Sequence, residues 1–317
     1  MSTVTPPAHT AVVLGLGSIG SRHARLLLER PQWRVLAVRR GEADHGTAEG
    51  VVEVRDLDAA VADGADVAFV CSPTYLHIQQ AMAAADRGLH LFIEKPLSHG
   101  PAGLDELLDL VTAKDLRVLI GTMLRHHPLV ISLARHLVGE PILHVRAECS
   151  SWLPEWRPDR DYRDVYRASQ AQGGGVILDL IHEIDLVDHL VGPVTRIDGR
   201  AEHRSSLELH APDHAELHIA AERSTAEVFL SWYAHIPQRW VTVYGERLTA
   251  RLDLLAGGLT VAREGGTTDI ERLPLDRDDL YRRQLDHLEA VLSGEPPIAP
   301  IETAARLVHL LEDGSLL

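Results

Sequence analysis

Lysine is nearly missing from this 317-residue chain: Lys95 and Lys114 stand against twenty-nine arginines. An ammonium on a flexible stem loses its proton when desolvated and acts as a compact charge beside a reacting oxygen, whereas a guanidinium stays protonated. Lys95 is therefore a candidate for chemistry, the plain alternative being a lysine that falls near a strand end by chance. Cysteine is equally scarce, with Cys71 and Cys149 far apart in different expected strands. That spacing excludes a disulfide framework and a cysteine zinc cluster, and both thiols are expected as small buried hydrophobes. An excess of positive charge is absent too. The net charge of −15 argues against nucleic acid, and no apolar run reaches the length of a membrane span. MSTVTPPAHT at the start has no basic stretch leading into an apolar one and no twin arginine, so the expectation is a cytoplasmic protein whose partners are small molecules.

The composition that remains, 45% hydrophobic and 24% charged, suits a globular protein of two domains. Strand-like runs lie at 11–16, 34–40, 51–54, 66–72, 89–94 and 117–122, with helical patterns at 19–30, 76–87 and 101–114. Apolar runs without alternation, separated by helices, predict a parallel sheet covered on both faces, a doubly wound α/β domain over residues 1–122. After residue 122 come a helix at 128–137, a strand at 142–149, an aromatic and arginine-rich stretch at 151–167, a glycine run and another helix. Strand candidates then follow at 195–203, 215–222, 225–234, 239–245, 248–254, 258–263 and 268–273. Their short glycine turns predict an α+β domain over 123–317 with antiparallel pairing, closed by helices at 277–293 and 301–313. The last helix is a candidate to pack back on the first domain.

GLGSIG spans Gly15, Gly17, Ser18, Ile19 and Gly20 directly after the first strand and opens a helix. The first glycine allows the tight turn, the second lets backbone approach a pyrophosphate, and the third lets helix pack on strand. This context predicts a dinucleotide site. The second strand ends in Val38, Arg39 and Arg40, where an acidic residue would bond the ribose of NAD and arginine accommodates a 2′-phosphate. NADP(H) is favoured over NAD(H), with Glu42 or Asp44 left as the alternative that would serve NAD. Lys95 lies in LHLFIEKPL, at the carboxyl end of a buried strand, the edge where ligands bind in open α/β sheets.

In QGGGVILDLIHEID, Ile177, Leu180, Ile181, Ile184, Val187 and Val191 make an apolar stripe at helical spacing, and Asp179 and His182 fall together off it. An imidazole titrating near neutrality can exchange a proton with a hydroxyl or alkoxide, and a carboxylate can orient it. A helix with satisfied surface polar groups is the plain alternative. His182, Glu183, Asp185, Asp188 and His189 are all potential metal ligands. HExxH is absent, however, because Leu186 stands where the second histidine would be, and no metal is expected. His126 and His127, just before a helix, could cap it or line a cleft. Trp152, Trp156, Tyr162 and Tyr166, interleaved with arginines, suit a polyhydroxylated ring or an anionic group on it, or else an arm against a neighbouring subunit.

Taken together, GLGSIGSRH, SPTYLH, EKP, LRHHP and GGGVILDLIHEID resemble, in order, the motifs of the Gfo/Idh/MocA oxidoreductase family. The resemblance implies a Rossmann domain followed by a domain with a large, open, mainly antiparallel sheet that often forms the subunit interface, in a homodimer or homotetramer. It also implies a nicotinamide cofactor and a sugar or cyclitol substrate. Ser72, Pro73, Thr74 and His77 then match the motif along the diphosphate and nicotinamide ribose. Glu94 would bind that ribose, and Lys95 would touch both the ribose and the reacting oxygen, with Pro96 after a cis bond. Arg125 and His127 would face substrate, beside Trp152, Trp156 and Tyr162, which their own chemistry suggests for the ring. Asp179 and His182 would be the paired polar residues of the reactive helix, with His182 moving the proton. The interval of three between them resembles a branch associated with bacterial surface sugars, nucleotide sugars and amino sugars, as does the segment from Trp156 to Arg163. Met123, where asparagine is common, departs from the family pattern. The implied activity is hydride transfer between nicotinamide and a secondary alcohol or ketone. A nicotinamide-dependent glycosidase of the same fold and a non-catalytic nicotinamide sensor are the alternatives.

Overall fold

The computed structural model describes residues 8–38, 49–158, 161–164 and 168–317. They fall into two compact units, one running to Gly121 and including Tyr281–Glu302, the other comprising Thr122–Leu280 and Thr303–Leu317. Among the described residues no helix is long and apolar enough to cross a membrane.

The first unit runs β1 (His9–Leu14), α1 (Ser18–Leu28), β2 (Trp33–Val38), β3 (Val52–Val54), α2 (Leu57–Ala62), β4 (Val67–Val70), α3 (His77–Asp86), β5 (His90–Ile93), α4 (Leu104–Ala113) and β6 (Val118–Ile120). Its strands pair in the order β3-β2-β1-β4-β5-β6, every pair parallel. Val12, Val13, Leu36, Phe69, Leu91 and Phe92 are wholly buried, as strands covered on both faces require. The strand order reverses between β1 and β4, and that is where the carboxyl edge of such a sheet opens for a ligand. The short α2 has too few turns to show periodicity. Its signature is the cap alone, Asp56 accepting the Ala59 N–H at 2.8 Å.

Helix α8 (Arg277–Leu292) contributes its length from Tyr281 onward to this unit. Glu289 Oε1 accepts from three donors at the α1–β2 junction: Arg30 at 2.9 Å, Gln32 at 2.9 Å and the Trp33 indole at 2.7 Å. Leu285, Leu288 and Val291 are buried at helical spacing. It is thus the penultimate helix, with its buried leucines and the Glu289 fastening, that belongs to the parallel-sheet unit. The last helix, α9 (Ile301–Asp313), belongs from Thr303 to the second unit.

The second unit contains α5 (Pro128–His136), β7 (Ile142–Trp152), α6 (Val176–Asp179), α7 (His182–Val191), β8 (Val194–Glu202), β9 (His214–Ala221), β10 (Ser224–Ser231), β11 (Tyr233–Gly245), β12 (Leu248–Asp253), β13 (Gly258–Arg263) and β14 (Thr268–Arg272). Eight strands form one sheet in the order β14-β13-β12-β11-β7-β10-β9-β8, antiparallel except where β10 meets β7. Burial alternates along β12 and β13, so one face packs on helices and the other does not. α5 and α7 lie against the packed face. The expected gap between strands at 234 and 239 is instead a single strand, β11, with a register shift between Tyr233 and Gln238. Pro237, which has no N–H to give the ladder, lies within the shift.

Candidate active site

The glycine turn is built for a close approach. Gly15 has φ of 99°, and a Cβ there would lie 2.8 Å from Ser72 Cα, while a Cβ on Gly20 would fall 1.9 Å from the Gly15 carbonyl oxygen. Gly17 differs, since a Cβ would meet nothing within 4 Å. Two glycines therefore serve packing and the third leaves its flank open at the head of α1. Among the described residues no side chain caps α1, so its first-turn N–H groups, reinforced by the helix dipole, are available to an anion. These residues fit a dinucleotide diphosphate. Arg39, Arg40, Glu42 and Asp44, on which the choice between NADP and NAD was expected to turn, lie outside the described residues.

Ser72 and Pro73 follow β4, and Thr74 opens a single 3₁₀ turn and is buried. His77, at the start of α3, is 1% exposed, and both of its ring nitrogens are 2.8 Å from backbone carbonyl oxygens, Nδ1 from Pro96 and Nε2 from Ser72. A neutral imidazole donates one proton, so only the charged ring donates to both. Burial pushes the other way and lowers the His77 pKa, with the two carbonyls opposing it. His77, expected to lie along the cofactor, has both nitrogens against the protein's own backbone.

Glu94, Lys95 and Pro96 leave β5 with a cis bond between Lys95 and Pro96, as the resemblance implies. Glu94 is buried. Its Oε1 lies 2.7 Å from His23 Nε2, and its Oε2 accepts the Lys95 backbone N–H at 3.2 Å. A Cβ on Gly121 would come within 3.0 Å of that Oε2, so the glycine makes room for the carboxylate. His23 is the residue that motif reasoning passed over. It stood in GLGSIGSRH without a role, although Gly20, His23, Ala24 and Leu27 form the buried face of α1 and an imidazole on that face needs a polar partner. Lys95 itself is partly buried. Lys114 is an ordinary surface lysine whose Nζ donates to the Asp86 carbonyl at 2.5 Å. Burial, and after it the Glu94 charge, drives the nearby Cys71 thiol well above its usual range, which suits an inert packing role.

In the second unit the expected single helix through Asp179 and His182 is two. α6 ends at Asp179, Leu180 leaves the helical basin at φ −104° and ψ 27°, and the Glu183 N–H bonds the Leu180 carbonyl in a tighter turn. Asp179 closes the first helix and His182 opens the second, and the two are not on one continuous ladder. Nor does α7 present a polar outer face, because His182 and every residue from it to Asp188 are buried. Its carboxylates are paired with arginines. Arg125 Nε meets both Asp185 oxygens at 3.1 Å and Nη2 meets Oδ1 at 2.7 Å, with Asp188 at 3.4 Å. Asp188 also accepts the Val194 N–H at 2.9 Å and pairs with Arg306, and Glu183 takes Arg239 at 2.7 Å. Burial raises the Asp185 pKa, and the guanidinium opposes that rise. Arg125, expected to face substrate, is thus 4% exposed and tied to α7. His127 caps α5, its Nδ1 accepting the Leu129 N–H at 3.1 Å.

Trp152, Trp156 and Tyr162 pack against the second unit's core. The Trp156 indole donates to Ser151 at 2.7 Å and its ring meets Trp232 edge-on at 6.3 Å, Trp152 lies 4.6 Å from the His235 ring, and the Tyr162 hydroxyl accepts the Glu208 N–H at 3.3 Å. Tyr166 lies outside the described residues.

Two family models match this chain: an oxidoreductase family with an NAD-binding Rossmann fold over residues 9–122, and the Gfo/Idh/MocA C-terminal domain over residues 141–251. The chain belongs to the Gfo/Idh/MocA oxidoreductase family. Among curated relatives, a UDP-N-acetylglucosamine 3-dehydrogenase of Acidithiobacillus ferrooxidans is 27% identical over 90% of this chain and 89% of its own length. A 2,7-anhydro-N-acetylneuraminate hydratase of Mediterraneibacter gnavus is 24% identical over 80% of this chain and 69% of its own. Among solved structures, GenD2 from gentamicin A biosynthesis, in complex with NAD, shares the fold at a TM-score of 0.82 and 22% identity, covering 99% of this chain and 95% of that one. Within this Gfo/Idh/MocA member, the glycine turn and the turns after β4 and β5 all fall in the stretch matched by the NAD-binding Rossmann model.

Proposed function

We propose that this chain is an NADP-dependent dehydrogenase or reductase acting on a secondary alcohol or ketone of a sugar, amino sugar, nucleotide sugar or cyclitol. Residues 1–122 would hold the dinucleotide, and residues 123–317 would take the substrate and the subunit contacts of a homodimer or homotetramer. The observation that carries the reading is a lysine kept at the carboxyl edge of the parallel sheet, in a chain with one other lysine, Lys114. Lys95 sits after β5, two strands from the glycine turn. When bound, nicotinamide supplies or accepts the hydride. The Lys95 ammonium polarises the substrate carbonyl and offsets the charge that develops on its oxygen. His182, oriented by Asp179, gives the proton in reduction and takes it in oxidation. The preference for NADP rests on Arg39 and Arg40 following β2.

The hydratase relative favours one other reading. A hydratase leaves the oxidation level of its substrate unchanged, so the same site could serve a redox-neutral reaction, as a nicotinamide-dependent glycosidase would. The deciding experiment is a cofactor-absorbance screen with NADPH and NADH against ketosugars, nucleotide sugars, inositols and inosamines, with product analysis in parallel. Absorbance change matched to product supports the dehydrogenase, while product without absorbance change supports the redox-neutral reading. Absence of any dinucleotide binding signal would sink both. In the same assay, replacing Arg39 and Arg40 by serine weakens NADP more than NAD, by roughly tenfold or more for lost charge-assisted bonds. Equal weakening contradicts the phosphate assignment.

A further inference from the structure

Two buried histidines hold the residues on either side of Lys95. His23 has no exposed surface, and its ring lies among Phe92 at 4.7 Å, Tyr281 at 5.5 Å and Phe69 at 5.6 Å. Its Nε2 is on Glu94, and its Nδ1 has no hydrogen-bond partner among the described residues. The tautomer that carries its proton on Nε2 satisfies the carboxylate and leaves only a lone pair in the aromatic pocket, so His23 donates to Glu94. On the other side, His77 reaches the Pro96 carbonyl with one nitrogen and the Ser72 carbonyl with the other. Its ring lies between the turn after β5 and the turn after β4, donating to one carbonyl when neutral and to both when charged. Lys95 lies between a residue held through its carboxylate and a residue held through its carbonyl.

We infer that His23 and His77 are positioning residues that fix the Glu94–Lys95–Pro96 turn and so set where the Lys95 ammonium stands. The inference rests on the proposed role of Lys95. Neither histidine needs to touch substrate, because both act through the turn they hold. Side chains that aim a reactive group matter when a misplacement of about 1 Å costs around a hundredfold in rate.

The scarcity of lysine makes this measurable without a substrate. Protein grown on lysine carrying ¹³C at its ε carbon gives two lysine signals, assigned with Lys114→Arg. In His23→Leu the Lys95 signal moves toward that of Lys114 and sharpens as the turn loosens, and in His23→Gln, whose amide donates where Nε2 does, it stays at the wild-type position. His77→Leu shifts it as His23→Leu does. The Lys114 signal is unchanged throughout. Turnover on any substrate found falls roughly tenfold to a hundredfold in the leucine variants and is restored by His23→Gln. A Lys95 signal indifferent to His23→Leu and His77→Leu, in protein whose unfolding midpoint matches wild type, would falsify the assignment. Should the leucine disrupt folding, His23→Asn, with an amide too short to reach Glu94, takes its place and carries the same two outcomes. Because the lysine signal needs no sugar and no dinucleotide, it reports on positioning even if every substrate fails. The absorbance screen reports separately on the reaction.

Discussion

The turn after β5 in the first unit and helix α7 in the second have their buried carboxylates held by different means. In the first, an imidazole does it, His23 on Glu94, with His77 against two carbonyls. In the second, guanidiniums do it: Arg125 and Arg306 on the carboxylates of α7, and Arg239 on Glu183. An imidazole is small and fits between aromatic rings, and it donates to one acceptor when neutral and to two when charged. A guanidinium is a permanent charge with a planar fork, suited to bolting a helix into a core. Imidazoles hold the turn after β5, and permanent cations hold α7.

Three measurements test that contrast. Removing the ammonium has the largest effect: Lys95→Ala retains dinucleotide binding and loses turnover by roughly the 10² to 10⁴ expected of a positioned acid or base. Initial rates alongside a dinucleotide titration separate the two, and normal turnover refutes the role. Next, Arg125→Ala leaves Asp185 buried and unpaired, and it destabilises the protein by about 3 kcal/mol or more in denaturant unfolding. If Arg125 were chiefly a substrate ligand, the variant would lose activity and keep its midpoint, and the contrast between the units would fail.

The smallest effect is a pH dependence in the second unit. Burial, and then the Arg125 charge, pushes the His189 pKa from 6.5 down to about 4. The unfolded chain therefore takes up the proton first as pH falls. Stability is complete above about 6.5 and drains as pH drops toward about 4, by at most roughly 3 kcal/mol. His189→Gln should flatten that part of the stability curve. An unaltered slope would show that His189 is not its source.

Much of the architecture is legible in the chain because burial writes itself as pattern. Both-sided burial gives the unbroken runs of β1, β4 and β5, and one-sided burial gives the alternation in β12 and β13. The glycine turn and EKP are legible because backbone chemistry demands particular residues there. What stayed hidden was pairing. Nothing local distinguishes an arginine that meets substrate from Arg125 meeting Asp185 sixty residues on, or a histidine for the cleft from His127 capping α5. The joint at Leu180 was hidden for a related reason, since an apolar stripe continues across it while the backbone does not. Asp179, His182 and the aromatic trio keep their proposed roles, which the kinetics of their variants can address.

Because α8 completes the first unit, that unit is not finished when its own contiguous stretch has been made. A fragment ending at Gly121 would leave the ribosome with Arg30, Gln32 and the Trp33 indole missing their shared acceptor, Glu289. The whole sheet unit of the other half must be synthesised before that carboxylate arrives. The parallel-sheet unit is thus completed late in translation, and dissecting the gene at the apparent boundary would sever it from its own closing helix.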